Sequence, residues 1–372
     1  MRSEVNFIIV NDTLKPRTGG DYVYSVMKDE LFKQGYKVNE VSLPRLLRKK
    51  QHSSVSSWIG QSSLSYSEVM AYVRCYLTSL RKYGRHPPVV VTSSCPTFPV
   101  LGHITYHQPK AGIFTRSHRE GGSIRRMVGY KVEVNERLSP LWFFAKKLMR
   151  LHISNSKFTR ELVERMYKVD SRVLYPPIPT ERYRPARHGA RKRYVLLTRP
   201  EATTGIAFLS SVAPRLPKDI TLVLIGNIDR TGIRALKDLK SLGTKCEYLG
   251  FVDEKSKIDL FQKCSVYVNL ARNETFGMSV VEALASGCIP IAHQSGAIPE
   301  YLPSEFCYSD FDQIPEKVAN YIDARIDVRE KLSDIAARFD EAIFRRRFMV
   351  FFRGLESFLN ISDQGILDRR SV

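Results

Sequence analysis

Short apolar runs alternate with amphipathic stretches along the chain, a pattern that predicts strands and helices in turn. VNFIIVND reads as a strand, the glycine-bearing turn TGGD follows, and YVYSVMKDELFKQG sets apolar residues at helical spacing before closing on Gly35. With the next strand, YKVNEVSL, this makes one βαβ unit. A Ser-rich stretch at 52–66, a helix over 68–83, the β-branched run PPVVVTSS and a strand around LGHITYHQP come next. Such short continuous runs suit parallel strands buried on both faces. A polar, glycine-containing segment at 116–130 leads to the helix SPLWFFAKKLMRL, the strand HISNS with the capped helix KFTRELVERMY, and RVLYPP.

The segment 176–193, PPIPTERYRPARHGARKR, is Pro-rich and charged and reads as a linker. Beyond it the alternation is more regular: RYVLLT, a helix near 205–213, ITLVLIGN, a helix over 231–240, CEYLGFV, a helix over 254–264, VYVNLA, a helix over 278–286 and IPIAHQ. Strands alternating with helices indicate a second doubly wound sheet. The end, REKLSDIAARFDEAIFRRRFMVFFRGLESFL, reads as long and helical and able to return to the first lobe. The expected division is therefore an α/β chain with Rossmann-like domains at 1–180 and 190–345 and a C-terminal helix, 346–372, packing back on the N-lobe.

Length agrees, since 372 residues at roughly 100–200 per domain favour two domains. With 43% hydrophobic residues the composition is globular, which excludes wholesale disorder. Charge changes the picture more. Lys and Arg number 58 against 38 Asp and Glu, a formal +20. Residues 1–200 hold 36 basic and 14 acidic side chains, the remainder 22 and 24, so the whole surplus lies in the first half. That asymmetry suits a two-domain protein with one basic working face toward an anionic partner; a basic surface without function would give the same count.

The longest apolar candidate, LSPLWFFAKKLM, is broken by a lysine pair and falls short of the roughly 18 apolar residues of a membrane span. MRSEVNFIIVND reads as a first strand and not a secretory leader, so residence in the cytosol is expected. Six cysteines lie far apart, without a CxxC or Cys/His cluster, as reduced and mostly buried thiols would. His103 and His107 stand four apart, but on a strand and without a third ligand, so no metal site is expected.

The densest chemistry is RNETFGMSVVEALASG, after the strand VYVNLA. Glu274 would sit at the mouth of a strand, while Phe276, Gly277, Met278 and Ser279 present backbone N–H groups at a helix start. Free N–H groups and the helix dipole favour an anion such as a diphosphate. Glu282, further along the helix, could accept hydrogen bonds from vicinal hydroxyls, as acidic residues do for ribose. A sugar nucleotide offers all three features. Two isolated glutamates would read first as dipole-favoured helix residues; the string around them changes that reading.

That string resembles the signature of the family 4 retaining glycosyltransferases. Its continuation GCIPIAHQSGAIPEYL, with Gly296 and Glu300, resembles their ending; CEYLGFVDEKSKIDLFQKCSVYVN, VLYPPIPTERYRP and HISNSKFTRELVERMY are similar to their preceding segments. The likeness is good over roughly 150–305 and thinner in the N-terminal lobe. Within the family, TYHQP, Asn273 to Glu282 and Ala292 to Gly296 look most like the lipid-linked-oligosaccharide mannosyltransferases. The resemblance implies a GT-B fold, two facing Rossmann-like domains with a deep interdomain cleft and a C-terminal helix returning to the N-lobe. It implies a hexosyltransferase of glycan biosynthesis and protein glycosylation that takes a nucleotide sugar, GDP-mannose favoured, and needs no metal.

Carried over by resemblance, Gly19 and Gly20 approach the donor phosphate and His107 lies near the donor sugar. Glu274 holds sugar hydroxyls, Gly277 and Met278 the phosphate side, Glu282 the ribose, and Arg199 neutralises the diphosphate. One departure stands out. The family has a lysine a few residues beyond that arginine, whereas RPEATTG offers Ala202 or Thr204, which removes a charge-assisted contact to the leaving phosphate. Arg272 or Arg199 could compensate. No second carboxylate is placed as a nucleophile, so the family likeness implies front-face transfer, with charge building on the leaving diphosphate.

In such transferases the N-terminal lobe takes the acceptor, and a lipid-phosphate acceptor on an anionic membrane would account for its basic surplus. Each Lys or Arg near an anionic leaflet is worth about 1 kcal/mol. In LSPLWFFAKKLMRL, Leu141, Phe144, Leu148 and Leu151 share one helical face and Lys146, Lys147 and Arg150 another, with Trp142 placed to dip into headgroups. The same periodicity fits a core-facing helix with a solvated basic side. Arg125 and Arg126, in RSHREGGSIRR, could grip a phosphate or line a plain surface loop. The resulting expectation is a cytoplasmic enzyme peripherally attached to the cytosolic face of a membrane. A non-catalytic transferase-like binding protein is the alternative. Nucleic-acid binding is not expected, because no recognised motif accompanies the basic runs.

Overall fold

The apolar runs do form parallel strands in a computed structural model, which describes residues 4–9, 19–42, 89–94, 104–108, 151–167, 169–185, 191–201 and 204–368. The expected helix at 68–83, the segment 116–130 and the helix over SPLWFFAKKLMR lie outside the described residues; Leu151, read as the end of that helix, instead opens a strand. The described residues divide into two units. One holds those up to Gln108, those from Leu151 to Tyr175 and those from Phe344 onward; the other is Pro176–Ile343.

In the first unit the strands are β1 (Glu4–Ile9), β2 (Lys37–Ser42), β3 (Val89–Ser94), β4 (Ile104–His107), β5 (Leu151–Ser154) and β6 (Arg172–Val173). They pair in parallel in the order β2-β1-β3-β4-β5-β6. The helix Gly19–Lys33 buries Val23, Val26, Met27 and Leu31 in this unit's core. The helix Glu341–Asp368 adds Phe344, Phe348 and Phe352, spaced four apart and so stacked on one face. Phe344 meets Tyr106 edge-on with centroids 6.4 Å apart, and Phe352 meets Tyr36 at 5.2 Å. Full burial of each ring is worth about 2 kcal/mol, enough to hold this segment on the unit that the chain left at Tyr175.

The terminal segment is helical in two pieces. Ile326–Ala336 and Glu341–Asp368 are separated by a 3-10 turn and an extended Asp340. Asp340 Oδ1 accepts from the Ala342 N–H at 2.9 Å and Oδ2 from the Thr180 hydroxyl at 2.5 Å, while Ile178 bonds Phe339 and Glu341 through its backbone. A helical Asp340 would forfeit these bonds, and aspartate is favoured at a helix start.

The second unit holds β7 (Lys192–Thr198), β8 (Thr221–Ile225), β9 (Cys246–Tyr248), β10 (Cys264–Asn269), β11 (Ile289–His293) and β12 (Cys307–Tyr308), all parallel, in the order β12-β11-β10-β7-β8-β9. From β7 the chain winds outward through β8 and β9, then returns to β10 on the other side. The connections leaving β7 and β10 therefore diverge, and the carboxyl ends of these two neighbours frame the crevice where such sheets bind ligands.

Two guanidiniums, Arg329 buried and Arg191 half-buried, fasten the opposite end of the sheet, where helices run into the amino ends of the strands. Arg329 Nη1 donates to the carbonyls of Ser265 and Gly287 at 2.9 and 3.0 Å, and Arg191 Nη1 to those of Phe261 and Cys264 at 2.9 and 2.6 Å. Cations at helix C-terminal carbonyls satisfy groups that have no intrahelical partner. Burial first, then the nearby Arg191 charge, lowers the Arg329 pKa to about 10, still charged at neutral pH. Cys264, Cys288 and Cys307 are buried thiols, and burial pushes Cys288 up to about 12 and Cys307 to about 11. Among the described residues no helix is long and apolar enough to cross a membrane.

Candidate active site

The site in the second unit is built where β7 and β10 end. Arg199 follows β7 directly and takes a left-handed backbone, φ 52°, held by its N–H on the Ile225 carbonyl at 2.8 Å. That conformation costs about 1–2 kcal/mol for a non-glycine residue, and it sends the side chain out of the strand's line. After β10, Asn273 is also left-handed, φ 53°, with its N–H on Ser295 Oγ at 2.8 Å. Glu274 follows, 7% exposed. Its Oε1 accepts from the Thr275 N–H at 3.2 Å and its Oε2 lies 3.5 Å from Arg199 Nη2. The guanidinium is half exposed and the carboxylate nearly covered, so the pair has one partner anchored and one reaching solvent.

Gly277, φ 85°, ends the turn and opens the helix Met278–Ala285 without any side-chain cap. The left-handed backbone requires glycine here, and a Cβ would lie 3.0 Å from the Tyr301 hydroxyl and 3.1 Å from Glu274 Cγ. Met278 and Ser279 are half-buried in the first turn; the Val280 and Val281 N–H groups already share the Gly277 carbonyl at 2.9 and 3.3 Å, so those of Met278 and Ser279 are the ones without an intrahelical acceptor. Phe276, in contrast, is a core side chain: it is 2% exposed and packs on Tyr301 and Phe339. Only its backbone belongs to the site.

Of the two residues that could stand where the family has lysine, Ala202 lies outside the described residues. Thr204 is buried, and its hydroxyl sits 2.8 Å from the carbonyls of both Arg199 and Glu201. The residue closes the loop after Arg199 on itself. Arg272 places its guanidinium carbon 4.9 Å from the Phe311 ring centroid, and its Nε is buried without a hydrogen bond.

Glu282 is not a free carboxylate. Lys257 Nζ lies 2.6 Å from Oε1 and 2.5 Å from Oε2. The sequence offers Lys257 only as one of several lysines in DEKSKIDLFQK; no local spacing joins it to a glutamate 25 positions on.

In the first unit, Gly19 and Gly20 begin a helix, and a Cβ on Gly20 would come within 2.8 Å of Gln108 Nε2. The glycine turn and the end of β4 are thereby neighbours. His107 ends β4, 3% exposed, with Nε2 3.0 Å from His152 Nδ1 and the two rings stacked at 14°. Burial first, then the second imidazole, holds His107 well below the ordinary histidine pKa, so it is neutral at pH 7. Trp142, Lys146, Lys147, Arg150, Arg125 and Arg126 lie outside the described residues. Among the described residues no group of three His, Cys, Asp or Glu side chains is arranged to hold a metal.

Comparison with known proteins places this geometry. Residues 179–338 match the family described as glycosyl transferases group 1. A GDP-Man:Man(3)GlcNAc(2)-PP-Dol alpha-1,2-mannosyltransferase of Dictyostelium discoideum is 24% identical over 241 residues, 57% of this chain and 48% of that protein. The match thus spans about half the length of that relative. Among solved structures, sucrose-phosphate synthase of Thermosynechococcus elongatus superposes with TM-score 0.71 at 14% identity, over 95% of this chain and 99% of the other. Anabaena HepE, solved in complex with UDP, gives 0.64 at 14% identity over 94% and 100%. The fold is GT-B, and the residues that match glycosyl transferases group 1 lie in its second unit.

Proposed function

We propose that this chain, a GT-B protein whose second unit matches glycosyl transferases group 1, moves a hexose from a nucleotide sugar to a glycan acceptor. The observation that carries this reading is the Arg199–Glu274 pair beside the uncapped helix start at Gly277, at the switch point of the second sheet. A guanidinium and open N–H groups suit a diphosphate, and a nearly covered carboxylate beside them suits sugar hydroxyls. Charge that builds on the leaving diphosphate would meet preorganised donors, without reorganisation at the moment of transfer. Catalysis is then electrostatic and metal-independent, with retention by front-face attack and the leaving phosphate taking the acceptor proton. His107 contributes as a neutral hydrogen-bonding group near the sugar, since it carries no charge to transfer.

Mannose from GDP-mannose is the favoured donor and a lipid-linked glycan the favoured acceptor; the name of the Dictyostelium relative and the likeness of Asn273 to Glu282 support both. The test is turnover against GDP-, UDP- and ADP-sugars with a dolichyl- or polyprenyl-diphosphate glycan. Release of GDP from GDP-mannose only in the presence of acceptor is the expected result; no turnover with any donor would leave the non-catalytic binding protein.

The basic first half supports a place on the cytosolic face of an anionic membrane. Replacing Lys146, Lys147 and Arg150 by Gln together is expected to reduce flotation with phosphatidylserine vesicles several-fold. Unchanged flotation would return that segment to a core-facing helix with a solvated side.

A further inference from the structure

Arg272 stands in the turn after β10, two residues before Glu274, and is half-buried. Its guanidinium forms no ion pair and no hydrogen bond, and Nε is covered as well as unpartnered. A guanidinium keeps its charge at every accessible pH and carries five N–H donors. Holding such a group partly covered with no acceptor for any of them is unfavourable. Arg199 has the Glu274 carboxylate within 3.5 Å, whereas Arg272 has only an aromatic face.

That face belongs to a stack. The Arg272 guanidinium carbon lies 4.9 Å from the Phe311 centroid, and Phe311 is stacked on Phe208 at 4.5 Å and 11°. A cation over a ring is attracted by the ring's quadrupole without consuming a donor, so the stack fixes where the fork stands and leaves its N–H groups unused. The stack also abuts the loop that begins at Arg199: a Cβ on Gly205 would lie 3.1 Å from Phe311 Cζ and 3.2 Å from the Leu270 carbonyl oxygen. From Pro200 to Gly205 that loop has no basic residue, and the Thr204 hydroxyl is engaged by its own backbone. On the other side stands Tyr308, at the end of β12; burial pushes its phenol up, and the Arg272 charge acts against that rise. The fork therefore sits among the carboxyl ends of the second sheet, beside the loop after β7 and in the turn that supplies Glu274.

We propose that Arg272 is a second cation for the diphosphate of the nucleotide sugar, and that Phe311, backed by Phe208, is the positioning residue that aims it. Its place two residues before Glu274 favours the phosphate that bears the sugar, and a planar fork suits paired phosphate oxygens. This chain thereby carries on the β10 side a charge that its β7 loop lacks beyond Arg199. The inference rests on the reading of this crevice as a nucleotide-sugar site.

The experiment measures binding of GDP, UDP and ADP, and of the matching monophosphates, to the full chain by calorimetry. The readout is the ratio of diphosphate to monophosphate affinity for the base that binds most tightly. Arg272→Met should lower diphosphate affinity by about tenfold and leave monophosphate affinity within about twofold, the scale of a lost hydrogen bond to a charged group. Arg272→Lys keeps the charge without the fork and should keep part of the ratio. Phe311→Leu should cut the ratio several-fold, because the guanidinium loses its seat. A wild-type ratio in Arg272→Met, or equal losses for diphosphate and monophosphate, overturns the role of Arg272. A wild-type ratio in Phe311→Leu overturns the aiming by the ring. Should Phe311→Leu fail to fold, Phe208→Ala takes its place at a half-exposed side chain, and a wild-type ratio there rejects the stack. Arg199→Met tells failure of the inference from failure of the reading beneath it. A ratio lost in Arg199→Met and kept in Arg272→Met removes Arg272 and leaves the nucleotide site standing; no diphosphate binding by wild type, or an unchanged ratio in both variants, removes the site and the inference together.

Discussion

Glu274→Ala is expected to lower turnover by about 10³-fold, the scale seen when one preorganised electrostatic contact to a transition state is deleted, while the melting temperature stays close to wild type. The side chain makes two polar contacts, the Thr275 N–H at 3.2 Å and Arg199 at 3.5 Å, and the second is long for a strong ion pair. Little folding energy therefore rides on it. The turn it belongs to is held by other means: Ala297 N–H on the Glu274 carbonyl at 2.8 Å, and Asn273 N–H on Ser295. Loss of the carboxylate should appear in kcat more than in the affinity for free nucleoside diphosphate, because the phosphate contacts at Arg199 and the helix start remain. Glu274→Gln separates shape from charge; it keeps an acceptor for Thr275 and should still lose most of the rate. Wild-type turnover in either variant would remove Glu274 from the reaction.

Strands and most helices of the second unit were legible because buried parallel strands announce themselves as continuous apolar runs; CSVYVN is buried at every position. The place of Glu274 at a strand mouth followed from the apolar run VYVNLA before it, whereas the pairing of β7 with β10 came only from the structure. What stayed hidden depended on contacts distant in sequence. Arg199 adopts a left-handed backbone that its residue type rarely takes, held by Ile225, and Asn273 adopts one that asparagine tolerates, held by Ser295. Phe276 sits between glycine and glutamate in the motif and looks like a ligand residue, yet it faces Tyr301 and Phe339. Asp340 falls in a periodic helical stretch and still breaks it, because Thr180 and Ile178 come from 160 positions away to bind it and its neighbours. Helical spacing along a single segment records none of these partners.

Gly296→Ala should be strongly damaging for a single added methyl. Gly296 has φ 67°, and a Cβ there would run into the Glu274 carbonyl oxygen, 2.6 Å from the Glu274 nitrogen and 2.7 Å from the Asn273 carbonyl carbon. All three obstacles are backbone, so no rotamer change can clear the space. The turn must move bodily, which breaks the Ala297–Glu274 bond and shifts the carboxylate away from Arg199. The left-handed conformation alone costs alanine about 1–2 kcal/mol, and overpacking adds about 1–3 kcal/mol. At roughly 2–4 °C per kcal/mol for a domain of this size, the melting temperature should fall by about 4–20 °C, and turnover should be lost even where the protein is still folded. Gly243→Ala provides the control: its φ is 72°, and a Cβ there meets nothing within 4 Å. It carries the conformational cost without the collision, so its melting temperature should fall only a few degrees and its turnover should hold. Equal shifts in the two variants would mean that the Gly296 turn yields freely, and that Glu274 is not held in place by the close approach of the chain behind it.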